Sequence, residues 1–414
     1  MELFRLAMVV SVLLVLTSCT TKDINLKELD YEQIKNEMEC GRTGFNARIL
    51  TEIEPSRTIN NTVKYLEFED GKMSEESYSL MLYQPMIDFT ELFPDVAPET
   101  IVFDNLGVYS KFVMTEFYDH FLYFQISEND DDMRVLQYDL KTGNTKIVYT
   151  YVGNWQFAVA AVNDRYMIWL EDHNANWKLV SLHCYDFQTG DDIQFFDYSC
   201  DPVTGVMFQW NFNEIILKDG LVYFDDASSA TDMDLYEYDI ENDKLTLISK
   251  QRATEPLPYH TLSWVGFDET LQEYTIINID KDYDILPIGS EYLRLNASEN
   301  LIAIRPSDSH ALFYYDGDIT YPLLRSSAPI DKVSCTDSFI AWDGWIHDKP
   351  LFYDVKRKAL VYMDCFDAGI RYVGMVNDQY LLFERFQYVE TLYGRLPTTL
   401  DTVSFSVILI DDLK

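Results

Sequence analysis

Polar and apolar residues alternate along most of this chain in short blocks, and two block types recur. The first is an acidic residue, one spacer, then four apolar residues. It occurs as Asp119-His-Phe-Leu-Tyr-Phe124, Asp164-Arg-Tyr-Met-Ile-Trp169 and Asp219-Gly-Leu-Val-Tyr-Phe224. It returns as Glu299-Asn-Leu-Ile-Ala-Ile304, Asp337-Ser-Phe-Ile-Ala-Trp342 and Asp378-Gln-Tyr-Leu-Leu-Phe383. The gap between Asp219 and Glu299 is about twice the others, so one copy there is degraded. The second block trails the first and reads apolar run, Asp, turn, apolar run. Its Asp positions are Asp139, Asp186, Asp239, Asp280, Asp316 and Asp354, with Asp412 as a seventh at the chain end. Glycine, asparagine or aspartate between β-branched and aromatic runs marks each as a strand–turn–strand hairpin.

A period of roughly 40–50 residues that carries about four short strands is the mark of propeller blades. The expected fold is all-β: a β-propeller of seven blades, six or eight being the alternatives. After Asp412 only two residues remain, so the last blade lacks a fourth strand of its own. An open blade exposes an unpaired edge. The ring is therefore expected to be closed by an N-terminal strand, with Thr62–Phe68 as the first candidate and Tyr78–Tyr83 as the second. Residues 386–402, which contain Tyr393-Gly-Arg-Leu-Pro397, form an insertion in the last blade.

The N-terminus carries a different signal. Leu6 to Leu16 is apolar apart from Ser11. That is shorter than the ~20 residues a membrane-spanning helix needs, and it suits the apolar core of a secretory signal. The run ends in Leu16-Thr17-Ser18-Cys19, which resembles the lipobox of bacterial lipoproteins. The resemblance implies a diacylglyceryl group on Cys19, cleavage before it, and an exported chain anchored to a membrane. Two or three acyl chains hold a soluble domain durably at a surface. Thr20 stands where that family's inner-membrane retention signal has Asp, and the choice of membrane stays open. Residues 1–18 are thus read as a signal peptide and 19–60 as a lipidated tether. Leu26, Leu29, Ile34 and Met38 there have helical spacing. Residues 61–414 are read as the propeller. The repeats over roughly 111–414 resemble those of TolB-like bacterial extracytoplasmic propellers, whose fold hosts unrelated functions.

Composition narrows the partners. The chain has 414 residues, 69 acidic against 32 basic, and a formal net charge of −37. Such a surface repels phosphate backbones and anionic lipid heads, which excludes nucleic acid as a default partner. Solubility outside the cell accounts for the charge most simply, with cationic ligands or metal ions as the alternative. Beyond Cys19 lie Cys40, Cys184, Cys200, Cys335 and Cys365, an odd number that cannot all pair. Cys335 and Cys365 are read either as a bridge or as buried thiols.

Candidate chemistry is sparse. Histidines 120, 173, 183, 260, 310 and 347 show no ligand spacing. No nucleophile elbow or phosphate loop is present. Asn129-Asp-Asp-Asp132 places Asp130, Asp131 and Asp132 on a loop, where clustered carboxylates are a candidate calcium site and a solvated turn the simpler reading. Trp342 and Trp345 flank Asp343-Gly344, and other tryptophans stand at 155, 169, 177, 210 and 264. Core packing explains them more economically than sugar binding. Two readings follow. One is a non-catalytic binding or scaffold ring, with no ligand-binding residues assigned. The other is a carbohydrate-active enzyme or sugar-binding module on the central face, marked by two carboxylates facing each other across a pocket lined with Trp and Tyr.

Overall fold

The repeat pattern resolves into seven four-stranded antiparallel blades in a computed structural model. The described residues are 48–49, 56–66, 73–104, 111–129, 132–152, 157–172, 179–200, 215–227, 229, 232–250, 253–268, 273–279, 281–289, 293–306, 310–317, 319–327, 330–344, 350–363, 372–391 and 394–413. Residues 1–47, with the signal, Leu16, Thr17, Ser18 and Cys19, lie outside them, as does the region of helical spacing.

Strands run from the innermost to the outermost in each blade. Blade 1 is Lys111–Tyr118, Phe121–Asn129, Asp132–Asp139 and Thr145–Val152. Blade 2 is Phe157–Val162, Tyr166–Asp172, Val180–Asp186 and Asp192–Asp197. Blade 3 is Ile216–Lys218, Leu221–Ala227, Met233–Asp239 and Lys244–Ser249. Blade 4 is Thr254–Leu257, Ser263–Asp268, Glu273–Asn278 and Lys281–Gly289. Blade 5 is Leu293–Ala297, Ile302–Pro306, Ala311–Tyr315 and Ile319–Ser326. Blade 6 is Ile330–Cys335, Phe339–Gly344, Leu351–Asp354 and Ala359–Tyr362. Blade 7 takes three strands from the end of the chain, Tyr372–Val376, Tyr380–Thr391 and Gly394–Leu409. Asp343–Gly344 also pairs with Tyr372–Val373, which joins blades 6 and 7 into one sheet.

The fourth strand of blade 7 is Glu99–Asp104, which pairs antiparallel with Thr402–Val407. The ring is closed by an N-terminal strand, as expected, but neither expected lender supplies it. Arg57–Leu66, which contains most of the first candidate, pairs with Met73–Leu82 along its whole length. That hairpin then adds to the outer edge of blade 5 through Leu80–Leu82. Glu99–Asp104 wins on position and pattern. It lies just before blade 1, beside blade 7, and its alternation turns Ile101 and Phe103 onto the core. Phe103 meets Phe124 at 5.1 Å and Phe405 at 5.8 Å, so residues from both chain ends and from blade 1 share one cluster.

Each block of the sequence has a structural job. The Asp of the second block caps a tight turn. Asp139 accepts from the Lys141 amide at 2.8 Å and the Thr142 hydroxyl at 2.7 Å, and Gly143 closes the turn at φ +71°. Asp186 repeats this with Gln188 and Gly190, and Asp354 with Arg357. The acid of the first block sits between the two inner strands, and Asp337 and Asp119 use that place to clasp the neighbouring blade. Asp337 of blade 6 accepts from Ser298 Oγ at 2.6 Å and from the amide and side chain of Asn300 in blade 5 at 2.9 and 2.6 Å. Asp119 of blade 1 accepts from Gln379 of blade 7 through its side chain and from Asn377 through its carbonyl. In blade 4 the turn is made by His260 and Thr261, both at positive φ, which is why the acid-led block is missing there. The bond across the seam survives through the backbone, His260 N to Glu299 O at 3.0 Å.

The chain end departs from the repeat. In blades 1, 2, 3 and 6 the first residue of the second strand faces the capping Asp, as Phe121 faces Asp139. In blade 7 Tyr380 faces Leu409, so Leu409 and not Asp412 holds that register position. Asp412 lies in a 3-10 turn, Ile410–Leu413, which packs Ile410 and Leu413 into the core. The insertion at 386–402 is a β-hairpin extension of the middle strands, paired as far as Thr391 with Gly394.

Two outcomes test this account. Phe405→Ala should cost about 3–5 kcal/mol, and deleting Val403 to Lys414 should abolish the single cooperative thermal transition. A truncated chain that melts like the intact one would show that the ring does not depend on closure. For Asp337, burial works against the charge, yet the bonds from Ser298 and Asn300 hold its carboxyl below the ordinary carboxylate range. Its folded value therefore lies below its unfolded one. Its contribution is complete at neutral pH and disappears as pH falls below about 4. Asp337→Asn should flatten the acid limb of a stability–pH curve; an unchanged limb would remove the clasp from the account.

Candidate functional site

Polar side chains gather in the seam between blades 1 and 2. A strand turns alternate residues to one face. Val180–Asp186 thus presents Ser181, His183 and Tyr185 together, and the neighbouring strand presents Trp169 and Glu171 opposite His183 and Ser181. His183 lies between two carboxylates, with Nε2 3.2 Å from Glu171 Oε2 and Nδ1 3.5 Å from Asp192 Oδ1. Its ring stacks on Trp169 at 4.1 Å. Trp169 Nε1 donates to Asp192 at 3.2 Å. Blade 1 supplies two phenols: Tyr149 donates to Asp192 at 2.7 Å and Tyr151 to Glu171 at 2.9 Å. Burial, then the bonded carboxylates, raise both phenols, Tyr151 to about 12. Both stay protonated and donating through the physiological range.

Ser181 Oγ lies 3.3 Å from His183 Nε2, so Ser181, His183 and Asp192 have the connectivity of a hydrolytic triad. Two facts deny it that chemistry. Ser181 is 0% exposed, so no acyl carbon can reach its oxygen. The His183 nitrogen nearest Ser181, Nε2, also lies 3.2 Å from Glu171, so a carboxylate competes with the hydroxyl for it. The cluster joins blades: His183 holds two carboxylates apart, and each receives a tyrosine from across the seam.

A second cluster lies around blade 3. Asp225 and Asp226 are adjacent in one strand and point to opposite faces, hence to different neighbours. Asp225 accepts from Thr254 Oγ1 at 2.5 Å and the Glu255 amide at 2.9 Å in blade 4. Asp226 accepts from the amide and hydroxyl of Ser199, beyond the last strand of blade 2, at 3.0 and 2.5 Å. Burial pushes the Asp226 carboxyl up, Ser199 lowers it, and the charges of Asp225 and Asp234 add to the rise. Blade 3 is tied to both neighbours by consecutive residues.

Of the residues singled out in the sequence, His183 and Trp169 meet in this seam, and the others among the described residues lie elsewhere. Asp130 and Asp131 lie outside the described residues, and Asp132 opens the third strand of blade 1. Among the described residues no group of three or more His, Cys, Asp and Glu is arranged to hold a metal ion. Trp342 is fully buried in the core between blades 5 and 6, and Trp264 is buried beside blade 3. Trp155, Trp177, Trp210 and Trp345 lie outside the described residues. His120 contacts Asp119, and buried His310 contacts the Ser326 carbonyl. Cys335 is a buried thiol that donates to the Asn296 carbonyl at 3.4 Å and forms no disulfide, and Cys365 lies outside the described residues. Burial first, then Asp186 and Asp192, push the Cys184 thiol up to about 12, which leaves it unreactive at neutral pH. The His183 cluster was missed because its members are far apart in sequence. The only local trace was Ser181, His183 and Tyr185 in alternation.

His183→Ala should destabilise the ring by about 1–3 kcal/mol, because two carboxylates then face one another across the space it filled. Adding Glu171→Gln should recover part of that loss in a double-mutant cycle. Strict additivity in chemical denaturation would show that the three groups do not act together.

No family model matches the sequence, and no curated protein matches it. Among solved structures the chain is similar to the β-propeller domain of the Trilobed protease from Pyrococcus furiosus, with 9% identity and a TM-score of 0.47 over 73% of this chain and 94% of that one. It is similar to oligogalacturonate lyase from Vibrio parahaemolyticus, with 10% identity and a TM-score of 0.43 over 85% and 98% of the two chains. A third is TolB from Acinetobacter baumannii, with 8% identity and a TM-score of 0.34 over 68% and 78%. At this level of likeness none of them speaks to what this chain binds or does.

Proposed function

We propose that this chain is an exported lipoprotein, anchored through acylated Cys19, whose seven-bladed ring is a non-catalytic binding or scaffold domain. The observation that supports a binding role is the use the ring makes of its reactive side chains. Asp119 and Asp337 clasp neighbouring blades, Asp225 and Asp226 tie blade 3 on both sides, and Glu171, His183 and Asp192 lock blade 2 to blade 1. Groups committed to holding the ring are not free to move protons during turnover. The anchor rests on Leu16-Thr17-Ser18-Cys19 and the apolar run before it.

The sugar-directed reading finds one observation in its favour. Glu171 and Asp192 do face each other beside Trp169, Tyr149 and Tyr151. The gap between them is filled by the His183 ring, which also covers one face of Trp169. A sugar needs both that gap and an open aromatic face, so the binding reading is preferred.

The test is metabolic labelling with an alkyne analogue of palmitate, followed by capture of the solubilised protein from native membranes. The account expects label on the wild-type chain, none on Cys19→Ala, release of that variant into the soluble fraction, and a stoichiometric partner retained by the labelled chain. Equal labelling of both chains would refute the anchor. Retention of nothing while a control bait works, with turnover of a glycan library, would refute the binding role.

A further inference from the structure

The ring treats its outer edges unequally. Segments from before blade 1 add extra strands to two blades and complete a third. Arg48–Ile49 pairs parallel with Ile319–Thr320 of blade 5, and Leu80–Leu82 pairs antiparallel with Leu324–Ser326 of the same strand. Met86–Asp88 pairs parallel with Leu360–Tyr362 of blade 6, and Glu99–Asp104 completes blade 7. Among the described residues no strand pairs with the outer edges of blades 1 to 4, or with the outer edge of Glu99–Asp104 in blade 7.

The outer strand of blade 2 has the register of the docking edge of blade 5, a register that the outer strands of blades 1 and 3 share. Both outer strands carry a β-bulge at the same point of the ladder, between partners Leu182/His183 and between partners Leu312/Phe313. Aligned on that bulge, Leu324 and Arg325, which receive Leu82 and Met81, correspond to Phe196 and Asp197. Thr320, which receives Ile49, corresponds to Asp192. The bulge therefore does not bar an added strand, since blade 5 accepts two.

The edge of blade 2 also lacks the guard that open edges usually carry. Lysine on an edge strand discourages pairing with another chain. The outer strand of blade 1 has Lys146, that of blade 3 Lys244, and that of blade 4 Lys281. The outer strand of blade 2, Asp192-Ile-Gln-Phe-Phe-Asp197, has no basic residue; Glu99–Asp104 of blade 7 has none either, but it pairs without the bulge that blade 2 shares with blade 5. Asp191 and Asp197 stand exposed at its two ends, and Ile193 between them is 43% exposed.

We infer that the outer edge of blade 2 is a docking site for an extended, basic polypeptide segment of another protein, bound as a fifth strand. The inference rests on the binding role proposed above and names the site and the partner chemistry. Backbone hydrogen bonds supply affinity, as in other cases of strand addition. An apolar side chain of the segment covers Ile193. Flanking lysines or arginines meet Asp191 and Asp197, in a chain whose net charge of −37 favours a cationic partner.

The probe is a fluorescein-labelled peptide of about ten residues with alternating lysine and valine, titrated into the full lipidated chain in detergent; a glutamate–valine peptide is the control. Hydrogen exchange locates the contact. The inference expects saturable binding of the basic peptide alone, new amide protection confined to Ile193–Asp197, and a loss of about tenfold in affinity in Ile193→Lys with unchanged melting. Asp197→Lys should weaken binding without abolishing it. Absence of binding, equal affinity in Ile193→Lys, or protection on blade 1 or 3 would overturn it. So would concentration-dependent protection of the same edge without peptide, which would assign the edge to a second copy of this chain. If the peptide fails while the membrane capture still yields a stoichiometric partner, the edge site falls and the binding role stands.

Discussion

Everything in this molecule depends on one pairing, Glu99–Asp104 with Thr402–Val407. A row of blades stacked side by side leaves an exposed apolar face at each end, and only closure buries both. Here closure costs a long loop in the unfolded chain, because the paired segments lie at opposite ends of the ring sequence. The aromatic cluster of Phe103, Phe124, Tyr138 and Phe405 offsets it, since it places both ends of the chain and the first blade in one core. The ring is therefore a cooperative unit rather than a sum of independent blades, in contrast to an open repeat array.

The second constraint is electrostatic. A chain with more than twice as many acids as bases must keep its carboxylates apart or satisfied. The fold does this by giving acids structural work in repeated places. In blades 1, 2, 3 and 6 an acid caps the outer hairpin, and Asp119 and Asp337 clasp the neighbouring blade. In the seam between blades 1 and 2, His183 and two tyrosines take the carboxylates of Glu171 and Asp192. The same economy explains why, among the described residues, Ser181, His183 and the carboxylates around them are spent on the seams between blades. Ser181 and His183 have the right neighbours for hydrolysis and the wrong access.

Much of the fold was legible because two local rules repeat. An acid at a turn needs a left-handed or capped backbone, and four apolar residues after it need a buried strand; both leave a mark within a few residues. The closing strand was not legible, because Thr62–Phe68 and Glu99–Asp104 alternate equally well. Proximity to blade 1 and the shape of the Phe405 pocket decide between them, and neither is local. The last capping Asp was misplaced for a related reason: near the end the register is set by Tyr380 opposite Leu409, three residues before Asp412. The His183 cluster draws on four strands and two blades, and only Ser181, His183 and Tyr185 share a local pattern.

Native-state hydrogen exchange of the intact chain tests the closure most directly, because it reads the opening free energy of each segment without altering the sequence. The account predicts that amides of residues 99–104 and 402–407 exchange together, as slowly as the most protected strands of blades 5 and 6. Fast exchange of 99–104, with slow exchange of 57–66 in its place, would contradict it and return the closing role to the earlier strand.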